Sequence, residues 1–504
     1  MRLRRWLQPE ILVPALALGA RLLPGPRTID DAYITFRYAR NLLSGHGLVF
    51  NPGEAVLGTT TPVYASLMAA LGLACGGAQA PFPVLALIVN ALADALTCWM
   101  LIRLGQRLGS RAAGIAMASV WAIAPMSVSF AIGGMETSLF IALLTATLYA
   151  LCHDRPVAAA AWGALSLLTR PDALLLVLPA AAERVRRSLP RGRLNPDPLP
   201  IRPAEALVFA LPLAAWAGLA TLAYGSPLPH SILAKAAAYR LPPEAALVRL
   251  LQHYGTPFLE HLTFGTGFIA AGLLLYPVLF GLGALRAVRL RPSGWPLFAF
   301  PWLYLLAFAL ANPLIFRWYL APPLPAYMLG IGLGLARLAA DLRRPRWIWL
   351  PLIAALAFTA RGWTLRPDHG PQRPAPAMAF IELELLYEQA AGALRPQIAP
   401  GQVLAAGDVG VLGYVTEARV LDTVGLNSPV ALAYYPLDAS LYAINYAVPP
   451  RLILEQQPDY LVLLEVYGRL GLLRDPAFQA AYALIERLPT DLYGSDGMLI
   501  FRRR

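Results

Sequence analysis

The sequence predicts a polytopic α-helical membrane domain of about eleven spans, followed by an extracytoplasmic α/β domain. Three observations carry that class. Apolar residues make up 58% of the 504 and charged residues 14%, with a mean hydropathy of +0.55; soluble domains sit near roughly 45–50% and ~25%. Arginine runs separate the apolar segments, as the positive-inside rule requires, so the net charge of +12 reads as topology rather than nucleic-acid binding. From about Trp363 the chain changes to short apolar strands ended by Asp/Gly turns. The expected division is therefore a membrane domain over 1–362 and a soluble domain over 363–504.

Taken in order, MRLRRWLQPE and ILVPALALGARLL read as an uncleaved signal anchor with its basic end inside. Further spans are expected at 83–104, 112–132, 136–152, 157–169, 172–186, 205–224, 266–286, 296–311, 319–338 and 347–360. This order leaves RLGQRLGSR, ERVRRSLPRGR, RAVRLRPSG and RLAADLRRPR all inside. Residues 61–78 are apolar, but counting them as a span inverts the first of these loops. They are laid in the interface or as a re-entrant segment, which extends the first external loop over 24–82. The run 157–186 is read as two short helices meeting at Arg170-Pro171-Asp172. Helices this short need a thinned bilayer or protein neighbours. Beyond Trp363, GQVLAAGDVGVLGY, ARVLDTVGLNS, PDYLVLLEV and GMLIFRRR read as strands and IELELLYEQAAGAL as an amphipathic helix. The three cysteines (Cys75, Cys98, Cys152) have no ligand spacing, and neither a disulfide framework nor a zinc site is read.

The polar island Asp30–Glu54, DDAYITFRYARNLLSGHGLVFNPGE, stands out in a chain this apolar. It resembles the first external loop of the GT-C integral-membrane glycosyltransferases, and within them most of all the mycobacterial-type terminal β-(1→2) arabinofuranosyltransferases. GMET at 134–137, LTRPDALL at 168–175, PLPHSILAK at 227–235, FRWYLAPPLP at 316–325 and AGDVGVLGY…DTVGLNSP extend the likeness. The chain departs from those relatives in AVLGTTTPVY after NPGE, and in His230 where Asn is usual. The resemblance implies an inverting transferase moving a sugar from a polyprenyl monophosphate donor to an extracytoplasmic glycan or glycolipid. Arabinofuranose is favoured over mannose or another hexose. A bacterial inner-membrane location follows, with the N-terminus cytoplasmic and the C-terminal domain outside, among membrane lipids and without nucleic acid. No cofactor is assigned, and a divalent cation stays open as an alternative.

Such a transfer needs a carboxylate base for the acceptor hydroxyl and cations for the departing phosphate. Asp30 and Asp31 are the base candidates, Asp30 first, the competing reading being that Asp30 caps the helix beginning near Ala32. Arg37, Arg40 and Asn41 share a helix face, so either the arginines snorkel to lipid headgroups or Arg37 holds the donor phosphate. His46 lies between glycines, as a ligand-reaching or a surface turn residue. Glu136 either caps its helix or binds sugar or a cation, and Arg170, Lys235 and Arg317 supply external cations, Lys235 and Arg317 ranking first. Asp94 is read as a helix–helix hydrogen bond, and Asp408 and Asp422 as turn residues in a domain that binds acceptor or shields the site. The rivals are a lipid or sugar transporter or flippase, which wants paired mid-membrane charges and a repeat, and a non-catalytic GT-C-like assembly protein, which need not keep the acidic pair.

Overall fold

The structure is a computed structural model that describes residues 8–190, 198–258, 265–363, 365–367, 374–376 and 382–504. The chain forms two compact units. One comprises Met1–Arg27, Ala86–Trp216 and Glu244–Ala379; the other comprises Thr28–Leu85, Ala217–Pro243 and Phe380–Arg504. The units are thus cut differently from the expected boundary at 362, because the first loop and residues 217–243 pack with the C-terminal domain rather than with the membrane helices.

The first unit is helical. Among the described residues, four helices are individually long and apolar enough to cross a bilayer: Phe82–Arg107, Pro203–Tyr224, Thr266–Leu290 and Pro292–Ala311. The expected span over 112–132 is in fact two helices, Arg111–Ile123 and Pro125–Ile132, bent by 50°. Pro125 explains the bend, since its ring and missing N–H interrupt the helical ladder. Counted as one span, that pair brings the total to five; length alone therefore does not establish the expected eleven. The break at Arg170-Pro171-Asp172 is present, between Pro156–Thr169 and Leu174–Ser188. The short helix Thr137–Cys152 is buried along nearly all its length, so protein rather than lipid covers it.

Two features hold these helices together. Thr266–Leu290 and Leu324–Asp341 meet through glycine: a Cβ on Gly334 would lie 1.7 Å from the Leu279 carbonyl oxygen, a backbone approach typical of membrane interfaces. Asp94, fully buried, accepts from Arg21 Nε (2.7 Å), Trp121 Nε1 (3.1 Å) and Ser138 Oγ (2.8 Å). The remaining Arg21 donors reach the Ala122 carbonyl (2.6 Å) and Ser127 Oγ (2.9 Å). Asp94 does join helices, as an ion pair whose polar atoms are all engaged. That is the condition under which a buried charge is tolerated.

The second unit is built on a five-stranded sheet. Numbering the short antiparallel pair Leu365–Pro367 and Pro374–Pro376 as β1 and β2, the sheet strands are β3 (Val403–Ala406), β4 (Arg419–Asp422), β5 (Tyr460–Leu464), β6 (Tyr482–Leu488) and β7 (Met498–Arg503). Their order is β4-β3-β5-β7-β6, with β3 parallel to β4 and β5, and β7 antiparallel to β5 and β6. The period of two sends side chains to opposite faces. Leu404, Ala406, Val462 and Leu464 pack with the helix Glu382–Leu394 and with Tyr38, Phe50 and Ala65 of the first loop. Ala405, Leu461 and Leu463 pack with Ala238, Val424 and Leu452 on the other side.

For the first-loop helix Asp30–Leu43 the sequence offers two readings, arginines snorkelling from the membrane interface or Arg37 on the donor phosphate. Instead residues around its circumference are buried, among them Phe36, Arg37, Tyr38 and Asn41. The apolar helix Pro62–Ala74 packs against it; its 13 residues span about 20 Å, too short for a ~30 Å hydrocarbon core. Residues 217–243 tie in at both ends, through His230 N to the Leu57 carbonyl (2.8 Å) and Arg240 N to the Asn445 carbonyl (2.9 Å).

Candidate active site

Asp30 is committed to structure. The helix begins at Asp30 with Ile29 in the capping position, so Asp30 does not cap its own helix. Its carboxylate accepts from Gly410 N at 2.9 Å and Val411 N at 2.7 Å, capping the helix Gly410–Thr416. A side chain at 410 is excluded, because its Cβ would fall 1.8 Å from the Asp30 carbonyl oxygen. The Asp30 amide in turn donates to Glu384 Oε1 at 3.2 Å. Burial pushes the Asp30 carboxyl well above the usual range and the charge of Asp408 adds to this, while the two amides pull the other way.

Asp31 is half-buried and makes no hydrogen bond among the described residues. Burial raises its carboxyl, and the charge of Lys235 draws it back down. Lys235, on the helix Ser231–Ala238, is likewise half-buried. Of the eight expected site residues, the structure therefore brings together Asp30, Asp31 and Lys235.

Three residues join them that sequence reasoning did not place there. Asp408 follows the carboxyl end of β3, and its Oδ2 accepts from Tyr387 Oη at 2.7 Å. Its carboxyl is pushed up to about 6 by burial, with Asp31 adding to the shift against the Tyr387 hydrogen bond. Glu384, one helical turn before Tyr387, is 8% exposed and its Oε2 has no hydrogen-bond partner among the described residues. Burial pushes its carboxyl up to about 7, the charges of Asp408 and Asp31 contributing. The missed signal was in IELELLYEQAAGAL: Glu384 lies on the stripe of Leu383, Tyr387, Ala391 and Leu394, all buried, where a carboxylate has no packing reason to be. Asp422 does fit its turn reading, accepting from the amides of Val424, Gly425 and Asn427 at 2.8–3.0 Å.

Several expected ligands are engaged elsewhere. Arg37 is 3% exposed and donates to the carbonyls of Phe50 (2.7 Å), Gly413 (2.5 Å) and Ala418 (2.7 Å) and to Asn51 Oδ1 (3.2 Å). It is a staple between the first loop and the C-terminal domain, which corrects both the phosphate and the snorkelling readings. Arg40 likewise lies over the Tyr414 ring, 3.6 Å from its centroid, and donates to the Tyr414 carbonyl. His46 is an exposed turn residue between Gly45 and Gly47, both at positive φ.

In the first unit, Arg170 meets Asp172 through Nε and Nη2 (3.0 and 3.2 Å) and Glu136 Oε1 through Nη1 (3.1 Å), with Tyr304 Oη on Asp172 Oδ2 at 3.3 Å. Glu136 is not a helix cap by its side chain. Arg170 is held by both carboxylates, so Glu136 and Arg170 are read as structural rather than as sugar and phosphate ligands. Arg317 sits on the short turn Arg317–Tyr319 of the same unit. Among the described residues, no group of three or more His, Cys, Asp or Glu is disposed to hold a metal ion.

Comparisons with known proteins bear on this arrangement. Residues 379–501 match a family model described as a domain of unknown function, DUF8728. The terminal β-(1→2)-arabinofuranosyltransferase of Mycobacterium tuberculosis is 33% identical over 187 residues, 32% of this chain and 29% of that relative. The match thus spans less than a third of the relative's length. Among solved structures, ArnT from Cupriavidus metallidurans bound to undecaprenyl phosphate superposes with a TM-score of 0.57 at 14% identity, covering 97% of each chain. The archaeal oligosaccharyltransferase AglB from Archaeoglobus fulgidus, in complex with an inhibitory peptide and a dolichol-phosphate, superposes at 0.56 and 12% identity, covering 92% of this chain and 71% of that one. The chain therefore shares the fold of ArnT and of the archaeal oligosaccharyltransferase.

Proposed function

We propose that this GT-C chain is an inverting glycosyltransferase that takes a sugar from a polyprenyl monophosphate and delivers it to an extracytoplasmic glycan or glycolipid, with Asp31 as the base. The observation that carries the assignment is the division of labour in the acidic pair. Asp30 is held by two backbone amides, whereas the Asp31 carboxyl is half-buried, accepts no hydrogen bond among the described residues and faces the charge of Lys235. In the step, the acceptor oxygen bonds the anomeric carbon as the bond from that carbon to the phosphate oxygen breaks. The electron pair leaves with the polyprenyl phosphate, and the hydroxyl proton passes to Asp31. A carboxyl raised by burial is a better proton acceptor than an exposed one. Lys235 offsets the charge that grows on the phosphate.

Lipid-phosphate donors are supported by the ligands of the two fold neighbours, and arabinofuranose is favoured by the partial relative. The site then belongs on the extracytoplasmic side of a bacterial inner membrane, with the N-terminus cytoplasmic. The buried mid-helix acids Asp94 and Glu183 are each paired with an arginine, Arg21 and Arg186, which speaks against a transport role.

The test is transfer by lipid-reconstituted protein offered polyprenyl-phosphate arabinofuranose, mannose and glucose with envelope glycans. The wild type is expected to transfer one of them, and Asp31→Asn to lose roughly 10²-fold or more. Asp30→Asn is expected to lower the melting temperature. Transfer that survives Asp31→Asn in folded protein removes Asp31 from the mechanism.

A further inference from the structure

We infer that the C-terminal domain of unknown function completes the transfer site by supplying Asp408, held by Tyr387, as the residue that binds the acceptor sugar hydroxyl beside Asp31. The inference rests on the glycosyltransferase reading above and deepens it on the acceptor side.

Sheet topology is the first ground. β3 lies between β4 and β5, both parallel to it, so the chain leaves β3 toward one neighbour and returns on the other. That is a topological switch point. In open α/β sheets, ligands bind outside the carboxyl ends of the strands at such points. Asp408 follows the carboxyl end of β3, and Tyr467 follows that of β5. The Tyr446 ring lies against Gly407, 3.2 Å from where a Cβ would fall, and meets the rings of Tyr467 and Tyr239 at 5.1 and 6.0 Å between centroids, so aromatic rings lie beside this edge. Aromatic rings beside a carboxylate suit a neutral sugar, whose hydroxyls donate to the acid while its C–H face lies on a ring.

The second ground is how the domain is joined to the first loop. Glu384 Oε1 accepts from the Asp30 amide, and the Gly410 and Val411 amides bind the Asp30 carboxylate. Two separate elements of the domain therefore grip the residue next to Asp31. One carries Tyr387, and the other begins two residues after Asp408. The register that caps Asp30 thus also sets Asp408 near Asp31.

The third ground is an unmet hydrogen bond. Glu384 Oε2 is buried in a residue 8% exposed and has no hydrogen-bond partner among the described residues. An orphaned buried acceptor is costly, and it lies in the same group as Asp30. A ligand hydroxyl provides the missing donor.

The test uses the full chain in lipid, with the polyprenyl-phosphate sugar that the wild type transfers and octyl arabinofuranoside as acceptor probe. Asp408→Asn is expected to raise the acceptor KM roughly 10- to 100-fold, the loss of a hydrogen bond to a charged group, with the donor KM unchanged. Tyr387→Phe is expected to raise the acceptor KM several-fold, and Asp408→Glu to restore part of the loss. Donor hydrolysis by water is expected to persist in all three, so flux shifts from transfer to hydrolysis. If Asp408→Asn does not fold, Tyr387→Phe and Asp408→Glu carry the same comparison. An unchanged acceptor KM, or donor and acceptor KM rising together with a fall in melting temperature, overturns the inference while leaving Asp31 as base. A wild type that transfers no sugar overturns the glycosyltransferase reading and this inference with it.

Discussion

Glu384 offers a quantitative test of whether the domain is held against the first loop as described. Its carboxyl is raised from an ordinary 4.5 to about 7, first by burial and then by Asp408 and Asp31, while the Asp30 amide and its own backbone work to lower it. The charged groups around it are Asp30, Asp31 and Asp408, with Lys235 opposing at Asp31. A group whose folded pKa is raised binds more protons when folded. Its contribution is therefore fully present below about pH 4.5 and lost as the pH rises through 7. Each tenfold change in proton affinity is worth about 1.4 kcal/mol, so ionising Glu384 withdraws about 3 kcal/mol from the folded state. Glu384→Gln keeps the acceptor for the Asp30 amide but cannot ionise. Relative to wild type it is expected to be neutral or about 1 kcal/mol less stable at pH 4.5, and up to about 2–3 kcal/mol more stable at pH 8. Melting curves of both proteins in lipid nanodiscs between pH 4.5 and 8.5 read the difference. If the two curves stay parallel, Glu384 is not the buried, proton-retaining group described and its contact with Asp30 is wrong.

Two further substitutions separate structural cations from ligands. Arg37→Lys replaces a planar fork serving four acceptors by a single ammonium; it is expected to lower stability by roughly 2–3 kcal/mol with the donor KM unchanged. A raised donor KM at full stability would return Arg37 to the phosphate. Arg170→Met leaves Glu136 and Asp172 buried without their counter-charge and is expected to cost roughly 3–5 kcal/mol. Unaltered expression and melting temperature would show that the triad does not bear on the fold.

What could be read from the chain follows from how local each signal is. The strands LAA, YLVLL and MLIF are short apolar runs between turns, and they are β3, β5 and β7. Asp94 announced a partner because a carboxylate in an apolar helix must have one, but Arg21 as that partner required knowing which helices meet. The first-loop helix misled for the opposite reason. Its Arg37, Arg40 and Asn41 share one face, which suits an interfacial helix seen alone and equally suits one buried among polar neighbours. Arg37 and Asp30 find their partners in backbone carbonyls and amides more than 370 residues away. Backbone groups leave no mark on a sequence, so neither assignment could be read from residue types.

The same fact explains why the acidic pair is divided as it is. A carboxylate that caps a helix in another domain must be well placed but need not react, and both its oxygens are already occupied by the Gly410 and Val411 amides. Its neighbour, turned about 100° around the helix, gains a fixed position from that anchor without accepting the amides. Rigid placement of the reacting group is what an active site requires of its surroundings. On this account Asp30 acts through Asp31, as a positioning residue. Replacing it is expected to loosen the C-terminal domain and lower kcat together, whereas replacing Asp31 lowers kcat alone. A folded Asp30→Asn protein that melts as wild type does yet transfers no sugar would reverse the two roles.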